Sequence, residues 1–168
     1  MTQKKRKALT GCFTVLTVLL MVLIFWFSAQ EAEDSQELSD GFYWLLMSGQ
    51  VPILSWIALE TPLFELFPLR KCAHAFVYFC LGMTTGSRAG FSGQYEGERG
   101  RVLKGRVVLP WLVCVAYACS DELHQLFVMG RSGEITDVMI DSSGALAGVL
   151  LVLFLFFVSR KKTAGKAE

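Results

Sequence analysis

Charge is what this sequence of 168 residues is short of. Asp, Glu, Lys and Arg make up 18% of it, against roughly 25% in soluble domains. Hydrophobic residues make up 53% and gather in long blocks rather than at helix or strand period, which excludes an ordinary soluble domain and a disordered chain. There is no CxxC pair, P-loop, HExxH or GxSxG sequence, so none of the corresponding metal, nucleotide or nucleophile chemistries is signalled. The cysteines, Cys12, Cys72, Cys80, Cys114 and Cys119, are odd in number and lie in or beside apolar blocks. They read as small packing residues, not as a disulfide framework or zinc knuckle. A net charge of +1, with no even basic coat, excludes nucleic acid as a partner.

What the chain does have is four stretches near membrane-crossing length. A bilayer core of about 30 Å needs roughly 20 residues of apolar helix. Residues 8–28, 69–86, 107–127 and 138–158 are the candidates. The first follows Lys4, Lys5, Arg6 and Lys7, as a signal peptide would, but its apolar run is too long for an h-region and no small-x-small cleavage site follows. It reads as a retained anchor. Basic residues then orient the chain. They precede the first span, recur at Arg88, Arg99, Arg101, Lys104 and Arg106, and return at Arg160, Lys161, Lys162 and Lys166. Residues 29–69 have none, but carry the acids Glu31, Glu33, Asp34, Glu37, Asp40, Glu60 and Glu65.

The expected fold is therefore an all-α membrane protein of four transmembrane helices. Residues 8–158 form one domain in the cytoplasmic membrane, and the basic segments 1–7 and 159–168 are cytoplasmic. Residues 38–66 are expected to lie on or dip into the outer leaflet without crossing. A Ser39–Asp40 cap would start a short surface helix there, with Phe42, Tyr43 and Trp44 at headgroup level. Residues 87–106 read as a glycine-bearing solvated connector.

In this topology the ionisable residues within the spans share one depth, the extracytoplasmic half. Such groups are costly in a bilayer and call for a partner or a role. Lys71, His74 and Tyr78 fall on one face of span two. Tyr117, Asp121, His124 and Gln125 fall on one face of span three, beside Ser120 and Glu122. Asp137, Asp141, Gly144 and Gly148 fall on one face of span four, where the Gly144-x-x-x-Gly148 pair admits a close helix neighbour. Arg131, in the short loop between spans three and four, can cap the layer. Two readings stay open: a buried ion-pair network that holds the bundle together, or a site. A site of this composition could transfer protons, hold an anion through Lys71 and Arg131, or bind a divalent metal. The metal candidates are His74, Asp121, His124 and Asp141. Ser120 and Asp121 are adjacent and so point about 100° apart on a helix, which argues against a nucleophile pair.

Three of these blocks resemble the VanZ-like family of bacterial membrane proteins. They are Phe27-Ser28-Ala29-Gln30; Arg70-Lys71 through His74 to Tyr78; and the run from Ser120-Asp121-Glu122 through Gln125, Arg131, Asp137 and Asp141 to Gly144 and Gly148. The resemblance spans about residues 8–158. His124 stands where the family varies. The resemblance implies an integral membrane protein, and the family is named for a member associated with low-level resistance to the glycopeptide teicoplanin. It does not imply an established reaction.

Three functions follow as expectations. One is a protein of the cell envelope that alters how a glycopeptide meets its target by binding the drug, a lipid-linked wall precursor or another envelope protein. The second is an intramembrane enzyme acting on a lipid-linked substrate. The third, a transporter or channel subunit, fits least well because the inner halves of the spans are apolar. Membrane lipids are partners in every case.

Overall fold

The structure, a computed structural model, describes residues 2–48, 69–92 and 104–164. Among these it is all-α. Helix α1 spans Gln3–Ser28, α2 Ala32–Met47, α3 Leu69–Ser92, α4 Leu109–Gln125 and α5 Ile135–Ala164, with one π-helical turn, Lys104–Val108, leading into α4. The expected connector at 87–106 is thus helical at both ends, up to Ser92 and from Lys104. Most of the expected outer-leaflet segment, residues 49–66, lies outside the described residues, as do 93–103.

The chain is a multi-span helical membrane protein. Three stretches, Gln3–Ser28, Lys104–Gln125 and Ile135–Ser159, are long and apolar enough to cross a bilayer. The fourth expected span, α3, does not qualify on composition, although its 24 residues reach about 36 Å at 1.5 Å per residue. Its position explains why. It is the inner helix: Tyr78, Leu81, Thr84, Thr85, Ser87 and Ala89 are buried against its neighbours, so it need not be apolar all round. Lipid-type surface lies instead on α1 and α5. Val15, Val18, Leu19, Val22 and Trp26 are exposed on α1, and Phe154, Leu155 and Phe157 on α5. Of the cysteines, Cys114 is buried and Cys12 and Cys119 are exposed.

Helix directions alternate. Phe13 stacks on Phe91, and Thr17 Oγ1 donates to Thr84 Oγ1 at 3.1 Å, so α1 and α3 are antiparallel. Arg70 meets Gln125 and Thr85 meets Cys114, so α3 and α4 are antiparallel too. Glu122 reaches the backbone of Glu134, which turns α4 into an antiparallel α5. Consequently α3 and α5 run parallel, and here the backbones touch. A Cβ added at Gly82 would overlap the Ala145 carbonyl, one at Gly144 the Ala75 carbonyl, and one at Gly148 the Phe79 carbonyl. Small residues permit this approach where no hydrophobic force draws helices together.

Helix α2 corrects one expectation. It starts at Ala32, with Glu31 at the N-cap position but no side-chain cap hydrogen bond, so Ser39 and Asp40 lie inside it rather than at its start. The acid Glu33 lies in its first turn, where negative charge favours the helix dipole. Trp44 is exposed near its far end, as an interfacial tryptophan would be.

Overpacking the shared seam is expected to be costly. Gly148→Val should destabilise the fold by roughly 3 kcal/mol, the upper end of overpacking costs, because the atoms in the way, the Phe79 carbonyl and the Met83 nitrogen, are backbone. Gly11→Ala, with nothing within 4 Å of the new Cβ, should be silent. Thermal melting of the detergent-purified protein, followed by size-exclusion chromatography, checks both.

Candidate functional site

The seam between α3 and α5 continues toward one end of the bundle into a layered polar cluster. At the rim, Lys71 Nζ contacts Asp137 Oδ1 at 2.6 Å and Glu134 Oε2 at 3.0 Å. The Lys71 ammonium holds the exposed Glu134 carboxyl below the usual glutamate range, with Thr136 adding a hydrogen bond. Glu134 is outside the set expected from sequence; it is the last residue before α5.

A second tier centres on Gln125, which is 1% exposed. Its amide nitrogen donates to Glu122 Oε1 at 2.9 Å and to Asp121 Oδ2 at 3.4 Å. Its carbonyl oxygen accepts from Arg70 Nη2 at 3.2 Å and from Arg131 Nη1 at 3.5 Å. Arg131 also donates to the Phe27 carbonyl at 3.3 Å, tying the loop to the end of α1. Burial and the neighbouring Arg70 charge push the Arg131 guanidinium below its ordinary value, though an arginine remains charged. Among the described residues neither guanidinium has a carboxylate within ion-pair distance. Glu122 is fully engaged: its second oxygen accepts from the Glu134 backbone N–H at 2.9 Å.

The deepest tier is His74, Asp121 and Asp141. Asp141 is 0% and Asp121 3% exposed. One ligand atom from each of the three lies within 4.8 Å of the others, so the group could hold a divalent metal. Tyr78, 0% exposed, carries a hydroxyl with no hydrogen-bond partner, and the buried Ser28 hydroxyl faces the Asp121 carboxylate.

The structure therefore gathers Lys71, His74, Tyr78, Asp121, Glu122, Gln125, Arg131, Asp137 and Asp141 at one end. Two expected residues point elsewhere. Ser120 is exposed and donates to the Tyr117 carbonyl of its own helix. His124 stacks on Phe25 of α1, with ring centroids 4.6 Å apart, and is not in the potential metal group. Tyr117 donates to the Met21 carbonyl, an α4–α1 tie rather than a site contact. The additions are Arg70, Glu134 and Ser28. Arg70 was legible in principle, since it lies one turn before His74, on the same helix face.

Comparison with known proteins places this arrangement in context. A family model described as VanZ/LLP1 matches residues 13–157, most of the chain and all three polar tiers. No curated protein and no solved structure matches the chain at the significance applied.

The two engagements of Glu122 give a stability prediction. Glu122→Ala would leave the Gln125 amide and the Glu134 N–H short of acceptors, which costs about 1–3 kcal/mol. Glu134→Ala removes one exposed ion pair and should shift the melting temperature much less. Melting curves of the two variants, side by side, test this order.

Proposed function

The chain belongs to the VanZ/LLP1 family, and from that premise we propose that it binds an anionic envelope compound from the extracytoplasmic leaflet. The ligand class is a phosphate-bearing, lipid-linked wall precursor, and its capture alters how a teicoplanin-type glycopeptide meets that precursor. The observation that carries this reading is the arginine pair. Arg70 and Arg131 converge on one neutral acceptor, Gln125 Oε1, without a carboxylate partner among the described residues. Two adjacent guanidiniums repel each other, and an anion bound between them removes that repulsion with charge-assisted hydrogen bonds.

Four spans, with α3 as the fourth, supply the setting. Residues 8–158 form one transmembrane domain, with tails 1–7 and 159–168 in the cytoplasm. The alternating helix directions support this topology, as does the grouping of Arg6 and Arg88 against Phe91 and Thr14 at the opposite end from the polar tiers. A second reading, an intramembrane enzyme on the same lipid-linked substrate, draws on His74 and Asp141, a base and an acid placed beside the anion position.

Two experiments test the proposal. In a cysteine-free background, a single cysteine replacing Glu33 or Ser132 should be labelled from outside intact cells and one replacing Gln94 should not; labelling at Gln94 would reverse the orientation. In nanodiscs, the protein should bind a fluorescent long-chain isoprenyl phosphate and not the matching isoprenol. Loss of a hydrogen bond to a charged group costs about 1.5–3 kcal/mol, so Arg131→Gln and Arg70→Gln should each weaken binding about tenfold or more at normal abundance. Equal affinity for the alcohol, or no effect of either substitution, would overturn the reading.

A further inference from the structure

The deepest tier presents a charge imbalance that the anion reading does not use. Asp121 and Asp141 are buried between α3, α4 and α5, 3% and 0% exposed. No lysine or arginine among the described residues comes within ion-pair distance of either. Lys71 is engaged by Asp137 and Glu134, and both arginines by Gln125. The remaining base is His74, whose Nδ1 stands 3.7 Å from Asp141 Oδ2. That is too long for a hydrogen bond. Both Asp141 oxygens and the Tyr78 hydroxyl are buried with no hydrogen-bond partner, and the Asp121 carboxylate is met by neutral groups, the Ser28 hydroxyl and the Gln125 amide. A buried unpaired polar atom is costly, and a buried unpaired carboxylate more so. One centre of positive charge held between the two aspartates and His74 would satisfy them together.

We propose that His74, Asp121 and Asp141 bind one divalent transition-metal cation of the Zn²⁺ or Mn²⁺ class. The donor set carries the assignment. One imidazole nitrogen with two carboxylates suits these ions, and the absence of thiolate from the group leaves out the soft metals. Ligands at about 2.1 Å from a tetrahedral zinc stand about 3.4 Å apart. The observed separations, within 4.8 Å, close onto a cation by side-chain movements of up to about 1 Å. Three protein ligands leave at least one coordination position free. Two carboxylates and a divalent cation sum to zero, which is the charge a site inside a bilayer tolerates best.

The experiment uses the full chain, purified in detergent and stripped with chelator. Titration with Zn²⁺ and Mn²⁺ should show one saturable site per chain by calorimetry for at least one of the two, with a rise in melting temperature. Asp141→Asn and His74→Gln should each lose both responses, whereas Arg88→Gln, at the opposite end, should keep them. Saturable binding that survives both site substitutions places the cation elsewhere and overturns the proposal, as does the absence of saturable binding by the unaltered protein. Should neither site variant accumulate, Co²⁺ added to the unaltered protein decides the matter. Visible absorption bands that disappear on displacement by Zn²⁺ support an imidazole–carboxylate site, and their absence refutes it.

Discussion

The contact on which the polar end depends is the touching of two helix backbones. Gly144 and Gly148 of α5 rest on the Ala75 and Phe79 carbonyls of α3, and Gly82 of α3 rests on Ala145. Because α3 and α5 run parallel, their successive turns stay in step beyond the glycines. Four residues before Ala75 is Lys71, and seven before Gly144 is Asp137; their side chains meet at 2.6 Å. His74 and Asp141 are brought together in the same way, one turn deeper. In lipid, close packing takes over much of the role that hydrophobic burial has in water. A side chain at the seam would therefore loosen the bundle and separate the acid–base pairs in one event. Packing and chemistry are not separable properties of these two helices.

Gln125 does for charge what the glycines do for distance. It lies between the acids and the arginines, with its amide nitrogen toward Asp121 and Glu122 and its oxygen toward Arg70 and Arg131. A neutral amide with both donor and acceptor ends satisfies the two sets without letting them neutralise each other. Had the arginines reached the carboxylates directly, the cluster would be a closed ion-pair network, and the scaffold reading would be the economical one. The interposed amide leaves an electropositive mouth above an electronegative floor. That separation is why an anion at the arginines and a cation at the aspartates are distinct inferences with independent tests.

Much of this was legible from spacing, and the exceptions have physical reasons. The i, i+3, i+7 face of Lys71, His74 and Tyr78 is read from helical geometry alone, and it needs no partner to be known. Partners are what sequence withholds. Asp121 and His124 are three apart on α4, yet Asp121 turns inward while His124 stacks on Phe25, because α1 passes close to that side of α4. Ser120 turns outward for the reason its adjacency to Asp121 already implied. Arg70 was obscured by its neighbour: two basic residues in a row look like a membrane-edge flank, and only the fold shows that one enters a hydrogen-bond network while the other meets acids at the rim. The composition of α3 misled in the opposite direction. Hydropathy measures fitness for lipid, and a helix enclosed by its neighbours is released from that requirement.

The opposite half of the bundle bears on which class of function the fold favours. The described threonine hydroxyls there are satisfied close by. Thr84 and Thr85 donate to the Leu81 carbonyl of their own helix, and Thr17 closes on Thr84. Between these and the polar tiers sit Leu81, Ala118 and Ala145, all 0% exposed. Hydroxyls turned back onto their own backbone, behind a layer of close-packed apolar side chains, offer no chain of exchangeable partners to a permeating ion or proton. Among the described residues of one copy of the chain, the polar cluster is thus confined to one end rather than continued along a path. Confinement to one end agrees with the proposed ligand, which would arrive and leave from the same leaflet, and weighs for the binding proposal over transport across the membrane.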